Sequence, residues 1–430
     1  MTDQIKISLR SIIYRKKQYV SIFLVTMFGV AISLLCLFLI KGMLFSMQNK
    51  ARIYYGGDYM FLGGKSSQNH NKSEEIIPVL EEVFPQGTVV ASRYEISVER
   101  SPVFYFEGES SSLRFVKGID FSKENELFSQ LNFKEGDLDG IAGSNGVLIS
   151  EKTAQKLFVH CGDEITFMLR DYKNQINTAT LVVKGIFVDS SIFGLATAYV
   201  DLAQLQKVMN IGTKSANRIS IILPENTKIS SSEENEIYTK LSAKFRMYKM
   251  INEKDDFLNA LKKDKSDFLF GLIRLNANLQ DLSVIIKAMW IVSALIIAIL
   301  TLIIVAGVSS TFRVIVMKRI NEIGIYKAIG MKQKDLEDML CFEIFVLLIA
   351  GCVAGFFLCL IFAKIISLFT FSFIPAFDIF LSAGSLIPKI NVLYFLLIAF
   401  IICVTTEIAV VFAVGKTVKC SPCEALAVTE

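Results

Sequence analysis

The stretch YVSIFLVTMFGVAISLLCLFLI, residues 19–40, holds no charged side chain. As a helix it reaches roughly 33 Å, enough to cross a hydrocarbon layer of about 30 Å in which only helices and closed barrels satisfy the backbone. Three further runs share its character, residues 285–308, 342–363 and 392–414. Each is about 20 residues or longer and nearly free of charge, so four spanning helices are expected. The first run exceeds the apolar core of about 7 to 15 residues of a cleavable signal, and no small-residue cleavage site follows, so it is read as a retained anchor.

Composition agrees. The 430-residue chain is 53% hydrophobic, with 34 Phe against a single Trp, Trp290, an apolar share above that of ordinary soluble proteins. Lys6, Arg10, Arg15, Lys16 and Lys17 precede the first run, Arg313, Lys318, Arg319, Lys327, Lys332 and Lys334 follow the second, and Lys416 and Lys419 follow the fourth. The positive-inside rule then puts both termini in the cytoplasm and residues 46–283 outside. The net charge of +4 reflects those juxtamembrane clusters, and no basic stripe interleaved with aromatics points to nucleic acid. Of eight Cys only Cys161 falls in the external region, which excludes a disulfide within it. Cys420 and Cys423 have CxxC spacing without a second pair or βαβ context, so neither metal nor redox chemistry is assigned to them.

The expected fold is an α-helical membrane protein with four transmembrane helices plus a large α+β extracytoplasmic domain between helices 1 and 2. Along the chain this gives an interfacial amphipathic helix over residues 1–18, helix 1 over 19–45, the extracytoplasmic domain over 46–254, a stalk with helix 2 over 255–310, a cytoplasmic segment over 311–341, helix 3 over 342–364, an external loop over 365–391, helix 4 over 392–414 and a cytoplasmic tail over 415–430. Inside the domain the pattern predicts helices over 73–84, 150–158 and 201–209, the second capped by Ser150, and strands over 88–98, 146–149, 163–169, 180–188 and 218–223. Residues 63–72 and 225–235 read as polar surface loops. From Asp255 the residues Leu258, Leu261, Phe268, Leu272, Leu275, Leu279 and Leu282 keep helical spacing into the second span. That predicts a continuous stalk extending about 45 Å beyond the bilayer.

No catalytic constellation is present. His70 and His160, the only histidines, exclude HExxH and the usual general-base arrangements. Gly415, Lys416 and Thr417 spell the tail of a phosphate-binding loop, but Val410 stands where its leading glycine belongs and a membrane helix replaces the preceding strand. The chain is therefore expected to bind no cofactor or metal itself.

The informative cytoplasmic piece is RINEIGIYKAIGMKQKDLED, residues 319–338. Ile320, Ile323, Ile325 and Ile329 give a short helix apolar surface, Glu322 and Lys327 give it charge, and Gly330 permits a left-handed cap. By composition it is either a docking helix or an amphipathic linker on the membrane. Glu322, Ile323, Gly324, Lys327, Ala328, Ile329 and Gly330 resemble the signature of the MacB/FtsX-like ABC permease family, a glutamate-bearing helix followed by an A-[LI]-G turn. Ser421, Pro422, Glu424, Ala425 and Leu426 resemble its closing motif, and GVLIS followed by Cys161 to Ile165 is similar to its strand, helix and Gly-Asp turn. Lys332 departs from the family's Ser or Thr cap, and Ala413 from its Pro.

This resemblance implies a MacB-like periplasmic core domain, a transmembrane subunit with no catalysis of its own, and ATP with Mg²⁺ held by a cytoplasmic ABC ATPase dimer. It assigns Arg319, Glu322, Ile323, Gly324, Lys327 and Gly330 to coupling with that ATPase. It further implies a second permease subunit, a homo- or heterodimer, in contact with membrane lipid, and ATP-driven closure relayed to external domains that handle cargo. Lipoprotein or other amphipathic cargo is favoured, with Phe23, Phe28, Leu34, Leu35 and Phe38 of the first span as contacts. A macrolide or peptide exporter and a permease that switches an external cell-wall hydrolase are the alternatives. Glu407 lies inside the fourth span, where an ionised carboxylate costs about 2.5–3.5 kcal/mol. It therefore requires a partner such as the Ser309 or Thr311 hydroxyl, or a direct part in cargo passage.

Overall fold

The computed structural model describes residues 14–63, 73–225, 227–249, 251, 253–263, 269–371 and 375–418. Most of the 1–18 helix, the 64–72 joint with His70, Phe268 and the closing motif with Cys420 and Cys423 lie outside them.

Helix α1 (Lys16–Tyr55) runs for 40 residues, about 60 Å and so well beyond what a bilayer core needs. It stops at two glycines held in the left-handed region, Gly56 at φ 103° and Gly57 at φ 85°, whose N–H groups both donate to the Arg52 carbonyl at 2.9 and 2.8 Å. A residue with Cβ is strained there. The chain then enters β1 (Tyr59–Gly63), α2 (Ser73–Val83), β2 (Val89–Ser97), the hairpin β3 (Val103–Phe106) and β4 (Glu109–Ser112), β5 (Phe115–Ile119) and α3 (Phe121–Phe128). Next come β6 (Phe133–Gly136), β7 (Gly146–Ser150), α4 (Glu151–Leu157), β8 (Glu164–Arg170), β9 (Ile176–Phe187), β10 (Thr197–Asp201), α5 (Leu202–Val208) and β11 (Arg218–Ile222). After α6 (Ser231–Lys244), α7 (Lys254–Lys263), β12 (Phe270–Arg274) and the short α8 (Leu275–Asn278), the chain continues as α9 (Ser283–Lys318), α10 (Ile320–Ala328), α11 (Gln333–Ser367) and α12 (Val392–Val418).

The strands form one twelve-stranded mixed sheet in the order β12-β1-β11-β2-β5-β10-β7-β9-β8-β3-β4, with β6 on β9. Its β5–β10 and β7–β9 pairs are parallel. The central strands β7 and β10 are buried throughout, and Val147, Ile149, Phe167, Val183 and Ala198 belong to the largest core of the domain. Local chemistry sets the helix starts, at Ser150 as expected. Ser150 accepts from the Thr153 N–H at 3.3 Å, and Asp201 accepts from the Ala203 N–H at 3.0 Å.

The chain divides into two compact units. One comprises Leu44–Ile285 with Thr370–Ser385. The other comprises Met1–Met43, Ile286–Phe369 and Leu386–Glu430, and holds the apolar helices. Four helices, in α1, α9, α11 and α12, are long and apolar enough to cross a membrane. Phe38, Phe312, Leu348 and Ile402 lie in their shared core. Gly351 and Gly355 let α11 close on α1, since added Cβ atoms would stand 2.8 Å from Thr26 Cβ and 2.7 Å from the Met27 carbonyl.

Three expectations are corrected. The stalk before helix 2 is not continuous: Phe270–Arg274 is a strand paired along its whole length with β1, Tyr59 opposite Arg274. Phe270 and Leu272 pack into one core and Leu269 and Ile273 into another, so a period of two outweighs the coincidental helical spacing. The uninterrupted helix beyond a span is the end of α1. Residues 231–235, expected in a loop, begin α6, because Ser230 and Glu233 form a reciprocal capping box. The last helix does not end at residue 414: residues 415–418, assigned to the tail, continue α12.

Candidate functional site

Arg319 interrupts the helix between α9 and α10 and points inward, only 3% exposed. Its Nη1 donates to Glu343 Oε2 at 2.7 Å and to the Tyr19 hydroxyl at 3.1 Å. Tyr19 in turn donates to Glu343 Oε2 at 2.7 Å. Arg319 Nε reaches Glu322 Oε2 at 3.3 Å, and Arg15 also bonds Glu322. Burial works against the Arg319 charge, but Glu343, Tyr19 and Glu322 outweigh it and hold the guanidinium above its ordinary pKa. Tyr19 sits on α1, Glu343 on α11 and Glu322 on α10, so one buried cation ties three helices together. Sequence reasoning passed over Glu343. The signal was an acid at the second position of an apolar run, which needs a cation.

The six residues assigned to coupling therefore divide. Arg319, Ile323 and Gly324 are buried, and Glu322 is half-exposed but held by two arginines. Lys327 is half-buried and Gly330, at φ 101°, is exposed. The exposed apolar surface lies instead at Ile325 of α10 and at Ile329, which caps its C-terminal end and is 80% exposed. Lys332 occupies the cap position of α11 and makes no side-chain cap bond, as its departure from Ser or Thr predicts.

The far end of α1 is fixed in the sheet. Arg93 Nη1 donates to the Ile53 carbonyl and Lys117 Nζ to the Tyr54 carbonyl, each at 2.7 Å. Lys117 also lies 3.5 Å from the Tyr54 ring centroid. Cations on the last carbonyls complement the helix dipole. Each is itself paired: Arg93 Nε with Glu124 at 2.9 and 3.1 Å, and Lys117 with Glu95 at 2.5 Å. Arg218 reaches Glu95 at 3.1 Å. Burial opposes the Glu95 charge, yet Arg218 and Lys117 hold its carboxyl far below the usual range. Burial pushes the Lys117 ammonium down to about 8 despite Glu95.

Higher on the same helix, Lys50 bonds Asp189 Oδ1 at 3.2 Å and the Asp378 carbonyl at 2.7 Å. The Ser190 N–H donates to Asp378 Oδ2 at 2.6 Å. The segment between α11 and α12 is thereby bonded to the domain.

Among the five residues proposed to touch cargo, Leu34 and Phe38 are enclosed in the bundle, so their side chains are not available. Phe23 and Leu35 are half-buried, and Phe28 is exposed. Phe28 belongs to a ridge the sequence did not single out, Val20, Leu24, Phe28 and Ile32, exposed at every fourth residue of α1. Glu407 Oε1 and Ser309 Oγ are buried without hydrogen-bond partners among the described residues, so the expected Ser309 contact is not made. His160 is exposed, 3.2 Å from Glu135.

The MacB-like periplasmic core domain matches residues 23–235, and the FtsX-like permease C-terminal domain matches residues 294–422. The chain belongs to the MacB/FtsX-like ABC permease family. It is a type VII ABC permease subunit, a multi-pass membrane protein of a family whose ATPase activity resides in a cytoplasmic partner. No curated protein matches the permease. Strand β12, which interrupts the expected stalk, lies between the two matched ranges.

Proposed function

We propose that this permease couples ATP hydrolysis by a separate ATPase dimer to cargo handling outside the membrane, by mechanical transmission through α1. The observation that carries it is the bonding of α1 at both ends. Its first turns are tied by Tyr19 to Arg319 and Glu343 at the α10 junction, and its last carbonyls are held by Arg93 and Lys117 in the sheet. In this reading a displacement of α10 travels along α1, which is one helix from Lys16 to Tyr55. Ile325 and Ile329 form the apolar face offered to the ATPase, Lys327 and Gly330 border it, and Arg319 positions it. ATP and Mg²⁺ belong to that partner. Residues 319–338 are cytoplasmic, residues 46–283 external, and two permease subunits assemble side by side.

The cargo is a lipid-anchored protein taken from the outer leaflet of the cytoplasmic membrane. The outward end of the exposed ridge on α1, Phe28 and Ile32, supports this, as acyl chains moved from lipid to water cost about 0.8 kcal/mol per CH₂ and need an apolar surface. Small-molecule export is the competing reading.

The test replaces Gln48, exposed within α1, by proline, which removes a helix hydrogen bond and kinks the rod. In cells carrying only Gln48→Pro, newly made lipoproteins are expected to stay in the membrane while the purified complex still hydrolyses ATP. Wild-type lipoprotein release in these cells rejects transmission through α1. Normal release in cells depleted of the permease, with increased sensitivity to small toxic compounds, rejects the lipoprotein reading in favour of export.

A further inference from the structure

Lys41 follows the first apolar run by one residue. Its Nζ lies 4.8 Å from the Trp290 ring centroid and 5.2 Å from that of Tyr394, within range of cation–π attraction. Trp290 stands near the start of the second apolar run and Tyr394 near the start of the fourth, so three helices meet here at the level where a spanning bundle passes from hydrocarbon to headgroups. All three side chains are half-buried. The chain entering α12 crosses α1 at the same level. The Lys389 N–H donates to the Phe38 carbonyl at 3.0 Å, and a Cβ at Gly42 would overlap the Ile387 carbonyl.

We propose that Lys41, clamped by Trp290 and Tyr394, binds the phosphate of an anionic lipid headgroup. A belt lysine reaching freely into water needs no clamp. Lys41 is instead steered by rings from two other helices, and among the described residues no carboxylate lies within ion-pair distance of it. The rings stabilise the ammonium but leave its N–H groups without an anion. Lys287, exposed and one turn before Trp290, and Lys389, exposed beside Phe38, add positive charge at the same level. Outside carbonyls and ring faces, the anion plentiful at this depth is a lipid phosphate. The site is independent of what cargo the permease handles.

Trp290 is the only tryptophan of the chain, so its fluorescence reports the site directly. The full-length permease is reconstituted in bilayers containing phosphatidylglycerol or phosphatidylcholine with brominated acyl chains, each diluted into the unbrominated mixture. Quenching by the brominated phosphatidylglycerol is expected to show about a fivefold preference over phosphatidylcholine, the scale of one lysine at an anionic surface. Lys41→Met removes that preference, Lys41→Arg keeps it, and Lys287→Met keeps most of it; circular dichroism and gel filtration confirm that each variant is folded. Equal quenching by the two lipids in the wild type overturns the proposal, as does an unchanged preference in Lys41→Met. An equal loss in Lys287→Met assigns the effect to diffuse charge and likewise overturns it. Excess inorganic phosphate at constant ionic strength is expected to leave the preference intact. If it abolishes the preference, the site takes free phosphate and the lipid assignment fails.

Discussion

Removing the Arg319 charge would leave the Glu343 carboxylate, wholly buried where the apolar run of α11 begins, with the Tyr19 hydroxyl alone. Breaking a buried ion pair from one side costs about 3–5 kcal/mol, whereas replacing both partners by apolar groups is often neutral. Arg319→Met is therefore expected to lower the melting temperature of the detergent-purified permease sharply, and Arg319→Met/Glu343→Met to recover most of the loss. An additive loss in the double variant would show that the two residues act separately. The same network explains why Glu322 is a poor probe of docking. Its reversal to lysine places a cation against both Arg15 and Arg319 and disturbs the bundle before any ATPase is bound. Glu407 is the opposite case, a carboxylate in an apolar helix whose Oε1 finds no partner among the described residues.

At the scale of elements, the clamp on the end of α1 depends on Glu95, which balances Lys117 and Arg218. Its carboxyl is held below the ordinary 4.5, so the native state binds its proton less tightly than the unfolded state does. The resulting stability is fully present above the unfolded value and is lost as pH falls below it toward the folded one. Glu95→Gln should lower the thermal stability of the domain at pH 7 by about 10 °C. The gap to wild type should narrow as the pH is taken below 4.5. A gap that stays constant into acid would remove Glu95 from the account. The elements around this clamp were unequally legible. Ser150 announced its helix because capping is local, whereas the Asp201 cap and the Ser230 and Glu233 box, local as well, were not read, the box being hidden in a run of polar residues. Strand β12 was not readable, because its identity comes from pairing with β1 some 200 residues earlier, and apolar residues buried on both faces leave no alternation to detect. For the same reason the stalk was assigned to helix 2, although the helix that continues is α1. In the candidate site, the motif located α10 but did not separate Arg319, facing inward, from Ile329, facing out; that depends on where Glu343 and Tyr19 arrive in three dimensions.

At the scale of the whole molecule, membership of one compact unit restricts topology. Residues 370–385, between α11 and α12, belong to the same unit as residues 44–285, and Asp378 is bonded to Lys50 and Ser190 within it. Both segments must therefore lie on one side of the membrane. A crossing by α9 separates that side from α10, and a crossing by α11 returns the chain to it. This parity follows from contacts and span count, independently of the lysine and arginine distribution, and the positive-inside rule then chooses the outside for the domain. The check uses a permease whose eight cysteines are replaced and to which one cysteine is returned at a time. With a membrane-impermeant maleimide on intact spheroplasts, Tyr105→Cys on β3 and Ala383→Cys before α12, both at exposed positions, are expected to react. Ile329→Cys, at the exposed C-terminal cap of α10, should react only after the membrane is opened. Labelling of position 329 in sealed cells would place α10 beyond the reach of a cytoplasmic ATPase. Protection of position 383 while position 105 reacts would contradict the shared unit itself.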